Sequence, residues 1–187
     1  MDALTALHER VSVTRLAEPA PSQTQREALF RAALRAPDHA WLRPWRFLVI
    51  EGDDRRRLGE LFAQASLADS PGLSEEALER MRRKPERAPL LIVAVSTHHQ
   101  HPKVPPGEQD MSCAVAVGNM LLAAHAMGVG AVWRTGSMAS HPVVRRGLGL
   151  AESEQVVAYL YLGQPVGPLK ALPELRPEDF FQSWPKD

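Results

Sequence analysis

Residues 90–95, Leu90-Leu-Ile-Val-Ala-Val95, form an unbroken apolar run of strand length that follows Pro89 and ends before a histidine-rich stretch. Such a run leaves no polar face for water, so it predicts a central strand covered on both sides. Upstream, Trp45-Arg-Phe-Leu-Val-Ile50 is rich in β-branched and aromatic residues and stops at Glu51-Gly52-Asp53, a second strand with a turn behind it. Downstream, Gly128-Val-Gly-Ala-Val-Trp133 reads as a helix stop followed by a strand, and Gln155-Val-Val-Ala-Tyr-Leu-Tyr-Leu162 as a late strand.

Helical spacing fills the intervals. Asp2 is placed to cap a short N-terminal helix with Leu4, Leu7 and Val11 facing the body. Ser22-Gln-Thr-Gln25 has the form of a capping box and opens a helix with Leu29, Ala32, Ala33 and Ala36 inward, closed by Pro37. Asp54 to about Ala68 is helical through Leu58, Leu61, Phe62 and Ala65. Residues 74–84 predict a charged helix anchored only by Leu78 and Met81, an exposed excursion. Residues 108–127 are almost wholly apolar or small, which predicts a helix buried on most sides. Asp110, Ser112, Asn119 and His125 interrupt the run, and a membrane span needs about 18 or more consecutive apolar residues. Ser140 is placed to cap a short helix with Pro142 in its first turn.

Helices interleaved with four or five strands predict an α/β (α+β) fold in a single domain over residues 1–187. From Pro165 onward, prolines 165, 168, 173, 177 and 185 forbid regular structure, while Phe180, Phe181 and Trp184 give the stretch apolar anchors; residues 165–187 therefore read as a proline-rich arm that docks on the body or on a second subunit. Twenty-two basic residues balance 22 acidic ones, which leaves no basic field for nucleic acid and no bulk attraction to a membrane surface. Cys113 stands alone, so neither an intrachain disulfide nor a multi-cysteine zinc site is available, and the charged start lacks the apolar core of a signal peptide. Both point to the cytoplasm.

The standard nucleophile and nucleotide motifs are absent. Gly128-Val-Gly130 begins like a dinucleotide fingerprint, yet it runs from helix into strand, the wrong order for a helix N-terminus to face phosphates. His98, His99 and His101 with Glu108 suit zinc by ligand type, but their spacing better fits a polar loop, and no metal site is expected. Cys113, between Met111 and Val115, reads as an inert buried thiol. Asp38-His39 after Pro37 reads as an Asx-type turn with the imidazole free for binding. The arginines carry more. Arg10 with Ser12 offers a guanidinium fork and a hydroxyl suited to a phosphomonoester, and Arg134, at the end of an apolar strand beside Trp133, calls for an anionic or electron-rich partner.

Quoted in order, the segments Arg10-Val-Ser12, LRAPDH (34–39), PWRFLVIEG (44–52), RAPLLIVAV (87–95), HPKVP (101–105), EQDMSCAV (108–115), VWRTG (132–136), SHPVVR (140–145) and YLYLG (159–163) resemble the nitroreductase-like family of FMN-dependent oxidoreductases, in its compact YdjA-like branch. The resemblance covers nearly the whole chain. It implies a mixed, mostly antiparallel sheet flanked by helices, a homodimer with FMN sites at the interface, and a ping-pong cycle in which NADH or NADPH supplies a hydride that passes to a nitroaromatic or quinone-like acceptor. The protein then needs no nucleophile of its own, because the flavin carries the chemistry. Arg10, Val11 and Ser12 would meet the FMN phosphate and ribityl chain; Arg35 and His39 would be flavin contacts reaching the other subunit's site; Trp133, Arg134 and Thr135 would lie beside the isoalloxazine. Ala123, Ala124, His125, Ala126, Met127 and Gly128 match a nicotinamide-nucleotide contact, although a helix C-terminus is electrostatically poor for a pyrophosphate.

Two departures stand out. Val11 replaces a second arginine of the family pattern, leaving Arg10 and Lys170 to meet the phosphate, and a lost charge-assisted contact costs about 1.5–3 kcal/mol. Trp41 and Arg43 stand where wider members carry Asn and Gln, which changes the polarity near the flavin. The Val11 departure also allows a non-catalytic flavin-storage dimer, and enone reduction or dehalogenation are rival flavin chemistries.

Overall fold

The computed structural model describes residues 1–184. Pro185, counted above with the arm, lies outside the described residues. Five strands, β1 (Leu16–Ala17), β2 (Trp45–Glu51), β3 (Leu90–Thr97), β4 (Gly130–Arg134) and β5 (Glu154–Pro165), form one sheet in which every pairing is antiparallel. The long β5 organises it. It pairs with β3 through residues 154–162, with β4 through 159–163 and with β1 at Gln164 and Pro165, while β2 joins the free edge of β3. No parallel pair occurs among the described residues, so the expected mixed sheet is purely antiparallel within this chain.

Both faces are covered, as the run at 90–95 requires. Leu90, Ile92 and Ala94 join Ala158, Leu160 and Leu162 on one face, under α2 (Gln23–Ala33) and α5 (Pro106–Ala126). Leu91, Val93 and Val95 join Tyr159 and Tyr161 on the other, under α3 (Asp54–Asp69) and the short α6 (Pro142–Gly147). The pairing of β3 with β5 slips between Ala94 and Val95, leaving Val157 without a ladder partner. Trp133 Nε1 donates to the Val157 carbonyl at 3.2 Å and satisfies the bulge.

Helix ends follow local chemistry, and three expectations for the helices are corrected. The Ser22–Gln25 capping box closes in both directions. The cap of α6 is His141, whose Nδ1 accepts from the Val143 N–H, because Pro142 occupies the first helical position and the cap must directly precede it. Ser140 lies one residue outside. In α1 (Ala3–Glu9) only Ala6 is buried, and Leu4 and Leu7 face outward instead of packing on the body. The charged stretch forms α4 (Glu75–Arg82) and is docked on α3 instead of projecting from it: Ala77 and Leu78 are buried, and Arg82 pairs with Glu60 at 2.9 Å. A Cβ on Gly59 of α3 would overlap the Arg82 carbonyl, so glycine is what lets the two helices approach.

After β5 the chain runs without helix or strand until a single turn at Pro177–Asp179. Leu169, Leu172, Leu175, Phe180, Phe181 and Trp184 are all exposed there. No helix among the described residues is long and apolar enough to cross a membrane.

Candidate functional site

The C-terminal end of β4 opens into a cavity of about 480 Å³ on the tyrosine face of the sheet. Trp133, Arg134, Thr135 and Gly136 line it from β4, and Lys84 and Arg87 reach it from the turn that follows α4. Tyr159 and Tyr161 form its floor. The side-chain alternation of β4 explains the aim of Arg134: it shares a face with the buried Val132, and its guanidinium carbon lies 5.9 Å from the Tyr161 ring centroid. None of Lys84, Arg87 and Arg134 pairs with a carboxylate among the described residues, although most other arginines of the chain do. Burial, with the Arg87 charge adding to it, lowers the pKa of Lys84. Burial raises that of Tyr161, against a pull downward from Arg87 and Arg134.

A smaller pocket of about 180 Å³ lies between residues 12–15 and the start of the arm, lined by Ser12, Arg15, Pro168 and Lys170 among others. Two backbone bonds hold it together. Val13 N–H donates to Ala131 O of β4 at 2.9 Å, and Val166 N–H donates to Arg15 O at 3.0 Å. The first bond ties this segment to the strand that carries Arg134, four residues or roughly 13 Å short of Thr135. Lys170 is thereby brought to Ser12, while Arg10 and Val11 do not line this pocket. Arg10 follows α1 as its C-cap and makes no ion pair among the described residues.

Arg35 and His39 lie elsewhere. Arg35 lines both a cavity at the end of α2 and a groove against Asn119, Ala123 and Ala126 of α5. His39 Nδ1 lies 2.9 Å from Glu108 Oε2. In one chain neither residue shares the β4 cavity. At residues 123–128, Met127 N–H turns back onto the carbonyls of Ala123 and Ala124, and Gly128 takes a left-handed φ of 70°. His125 Nε2 is buried there without a hydrogen-bond partner.

The other candidates resolve as structure. His98 Nε2 lies 2.6 Å from Asp110 Oδ1, Gln109 binds the backbone N–H and carbonyl of His99, and no grouping of ligand side chains that could hold a metal occurs among the described residues. Cys113 is fully buried, and desolvation, with Asp110 nearby, pushes its thiol up to about 12, which makes it inert. Asp38 Oδ2 accepts the Arg43 N–H at 2.7 Å, a bond five residues on that closes a wider loop in place of the expected Asx-type turn, which would bond two residues on. Lys84, Arg87 and Tyr161 were not singled out in the sequence, because a charged helix end and a strand tyrosine carry no local signal that they converge on Arg134.

The fold is an antiparallel α+β sheet with three cations, unpaired among the described residues, lining a cavity at one strand end. A sequence profile of the Nitroreductase family matches residues 7–164, and the chain belongs to that family. It is 44% identical over 165 residues to "Putative NAD(P)H nitroreductase YdjA" of Escherichia coli K12, covering 88% of this chain and 89% of that one. It is 37% identical over 164 residues to "Putative NAD(P)H nitroreductase" of Haemophilus influenzae, covering 87% and 88%. Among solved structures, the nitroreductase-like family protein from Bacillus cereus superposes with a TM-score of 0.82 at 20% identity, covering 100% of this chain and 97% of the other. A nitroreductase with bound FMN from Bacteroides fragilis superposes at 0.75 with 23% identity, covering 98% and 99%.

Proposed function

We propose that the protein is an FMN-dependent oxidoreductase that accepts electrons from NADH or NADPH and passes them to a nitroaromatic or quinone-like acceptor. The observation that carries this is the set of three cations, Lys84, Arg87 and Arg134, that face one cavity without a carboxylate partner among the described residues. A flat, phosphate-bearing cofactor that gains negative charge on reduction fits such a donor set. When bound, FMN supplies the ping-pong relay of a hydride from nicotinamide to acceptor. The chain supplies the rest.

Trp133, Arg134 and Thr135 would hold the ring, and Lys84 and Arg87, which line the same cavity, would stabilise negative charge there. Lys84 Nζ is the group whose proton is held less tightly than a free lysine's. Phe62 and Met138 keep that cavity apolar at its wall. Ser12 and Lys170, which line the pocket between residues 12–15 and the arm, would take the phosphate, while Arg10 and Val11, which the resemblance also assigns to it, lie outside that pocket. Arg35 and His39 serve the site of a second copy, and residues 123–128 border the nicotinamide-nucleotide path in the groove that Arg35 shares. The assembly is a homodimer in which the exposed apolar residues of the arm and of α1 are covered.

The test is direct. Protein reconstituted with FMN should be yellow and should bleach with NADH or NADPH, recovering colour on addition of a nitroaromatic or a quinone. Failure to take up FMN overturns the proposal, and bound flavin that neither nucleotide bleaches would establish a storage protein instead.

A further inference from the structure

The wall of the cavity beyond Arg134 is built from chain that belongs to no strand. After β4, residues 135–141 run through Gly136, at φ 97°, and a single helical turn at Ser137–Ala139 into α6. Thr135, Gly136 and Met138 of this stretch line the cavity. The Ala139 and Ser140 N–H groups donate to the Gly136 and Ser137 carbonyls, three residues back, which closes the turn without fixing where it sits.

Two side chains fix it. From the cavity floor, the Tyr159 hydroxyl donates to the Met138 carbonyl at 3.1 Å. At the other end stands His141, whose side chain is 11% exposed. Its Nδ1 accepts the Val143 N–H at 3.2 Å, and its Nε2 lies 3.2 Å from Oδ1 of Asp69, the last residue of α3. Because Nδ1 is the acceptor, the proton of the neutral ring sits on Nε2 and points at the carboxylate, so one tautomer makes both bonds. A serine or an aspartate would cap α6 with one oxygen, so capping accounts for only one of the two nitrogens. Asp69 is misplaced for its own helix. It stands at the C-terminal end of α3, where a carboxylate opposes the helix dipole and no basic residue in the last turn offsets it. The same helix lends Phe62 to the cavity, edge-on to Tyr159 at 5.5 Å between ring centroids. Phe62 and Asp69 are about two helical turns apart and share a face. One rigid helix thus carries a piece of the cavity wall together with the anchor of the rest of it.

We infer that His141 is a positioning residue: through Asp69 it fixes residues 135–141 over the cavity and so sets where Thr135 and Met138 meet the bound molecule. That this molecule is a flavin rests on the reading above. The tether does not.

Three variants separate cap, tether and charge. His141→Asn keeps a capping oxygen but is too short to reach Asp69 as well; Asp69→Ala removes the acceptor and leaves the cap; Asp69→Asn keeps an acceptor oxygen without the charge. Amide hydrogen exchange on the protein without FMN should quicken about five- to tenfold at Ala139 and Ser140 in the first two variants, stay near wild type in Asp69→Asn, and stay unchanged along β3 in all three. Removing a carboxylate from a helix C-terminus by itself tightens that helix, so faster exchange in Asp69→Ala marks the lost tether. FMN affinity should fall by a similar factor in His141→Asn and Asp69→Ala and recover in Asp69→Asn, and the visible band of the bound flavin should shift in the same two variants. Wild-type exchange in both His141→Asn and Asp69→Ala overturns the tether. Faster exchange with unchanged FMN affinity and flavin spectrum leaves His141 a helix cap and overturns its positioning role. A wild-type protein that takes up no FMN refutes the flavin reading, and the exchange rates then decide the tether by themselves.

Discussion

Glu154 shows how one side chain joins distant strands. Arg46 Nε and Nη2 donate to its two carboxylate oxygens at 2.6 and 2.8 Å, and Thr97 Oγ1 and the Ala151 N–H complete its shell. The Arg46 hydrogen bonds hold its carboxyl down to about 2 from the model-peptide value of 4.5. A depressed carboxyl stabilises the fold fully above its unfolded pKa and loses that contribution as pH falls through the folded value. Glu154→Gln is therefore expected to cost about 1.5–3 kcal/mol at neutral pH, and the gap between mutant and wild type should close as pH falls from about 5 toward 2, measured by urea midpoints across that range. Arg134 makes the functional counterpart. Arg134→Gln should weaken FMN by about 1.5–3 kcal/mol, roughly 10–150-fold in Kd by flavin fluorescence titration, with the fold intact by circular dichroism. An unchanged Kd would remove Arg134 from the flavin site. Its likeness to a ligand-seeking residue was legible from its place at a strand end; its companions Lys84 and Arg87 were not, because only the docking of α4 on α3 delivers them.

At the scale of elements, local signals carried far. The Ser22–Gln25 box, the run at 90–95 and the small-residue helix at 106–126 each encode their own structure, because capping and burial are decided within a few residues. The docking of α4 was hidden, since its sequence is charged on most faces and its anchor is an ion pair to Glu60 together with a glycine on another helix. Gly59→Ala tests this. Alanine ordinarily favours a helix by about 1 kcal/mol over glycine, but here its methyl meets the Arg82 backbone, so a net loss of about 1–3 kcal/mol is expected, read as a lower urea midpoint at unchanged m. A stabilised Gly59→Ala protein would mean that the two helices are free to separate. The strand β1 escaped notice because two residues carry no period.

For the whole molecule, the unsatisfied feature is apolar. Leu4 and Leu7 on α1 and seven large apolar residues of the arm, Val166 among them, are exposed in one chain. With the proposed homodimer these surfaces are covered, and light scattering should return twice the chain mass. Removing the residues after Val166 should shift that mass toward the monomer and reduce FMN retention, since Lys170 goes with them. A truncated protein that stays dimeric would move the interface to α5.

By itself the sequence determined most of the inventory: the four longer strands and the helices, that the central strand is covered on both faces, the burial of Cys113 and the family resemblance. These follow from periodicity, capping and composition, which act over short stretches of chain. Only the tertiary structure decided the antiparallel order around β5, the bulge that Trp133 caps, the gathering of Lys84 and Arg87 with Arg134 over Tyr161, and the left-handed turn that lifts Trp41 into solvent. Each depends on which distant segments share a face. That is settled by packing and sheet register, and no local pattern in the chain records it.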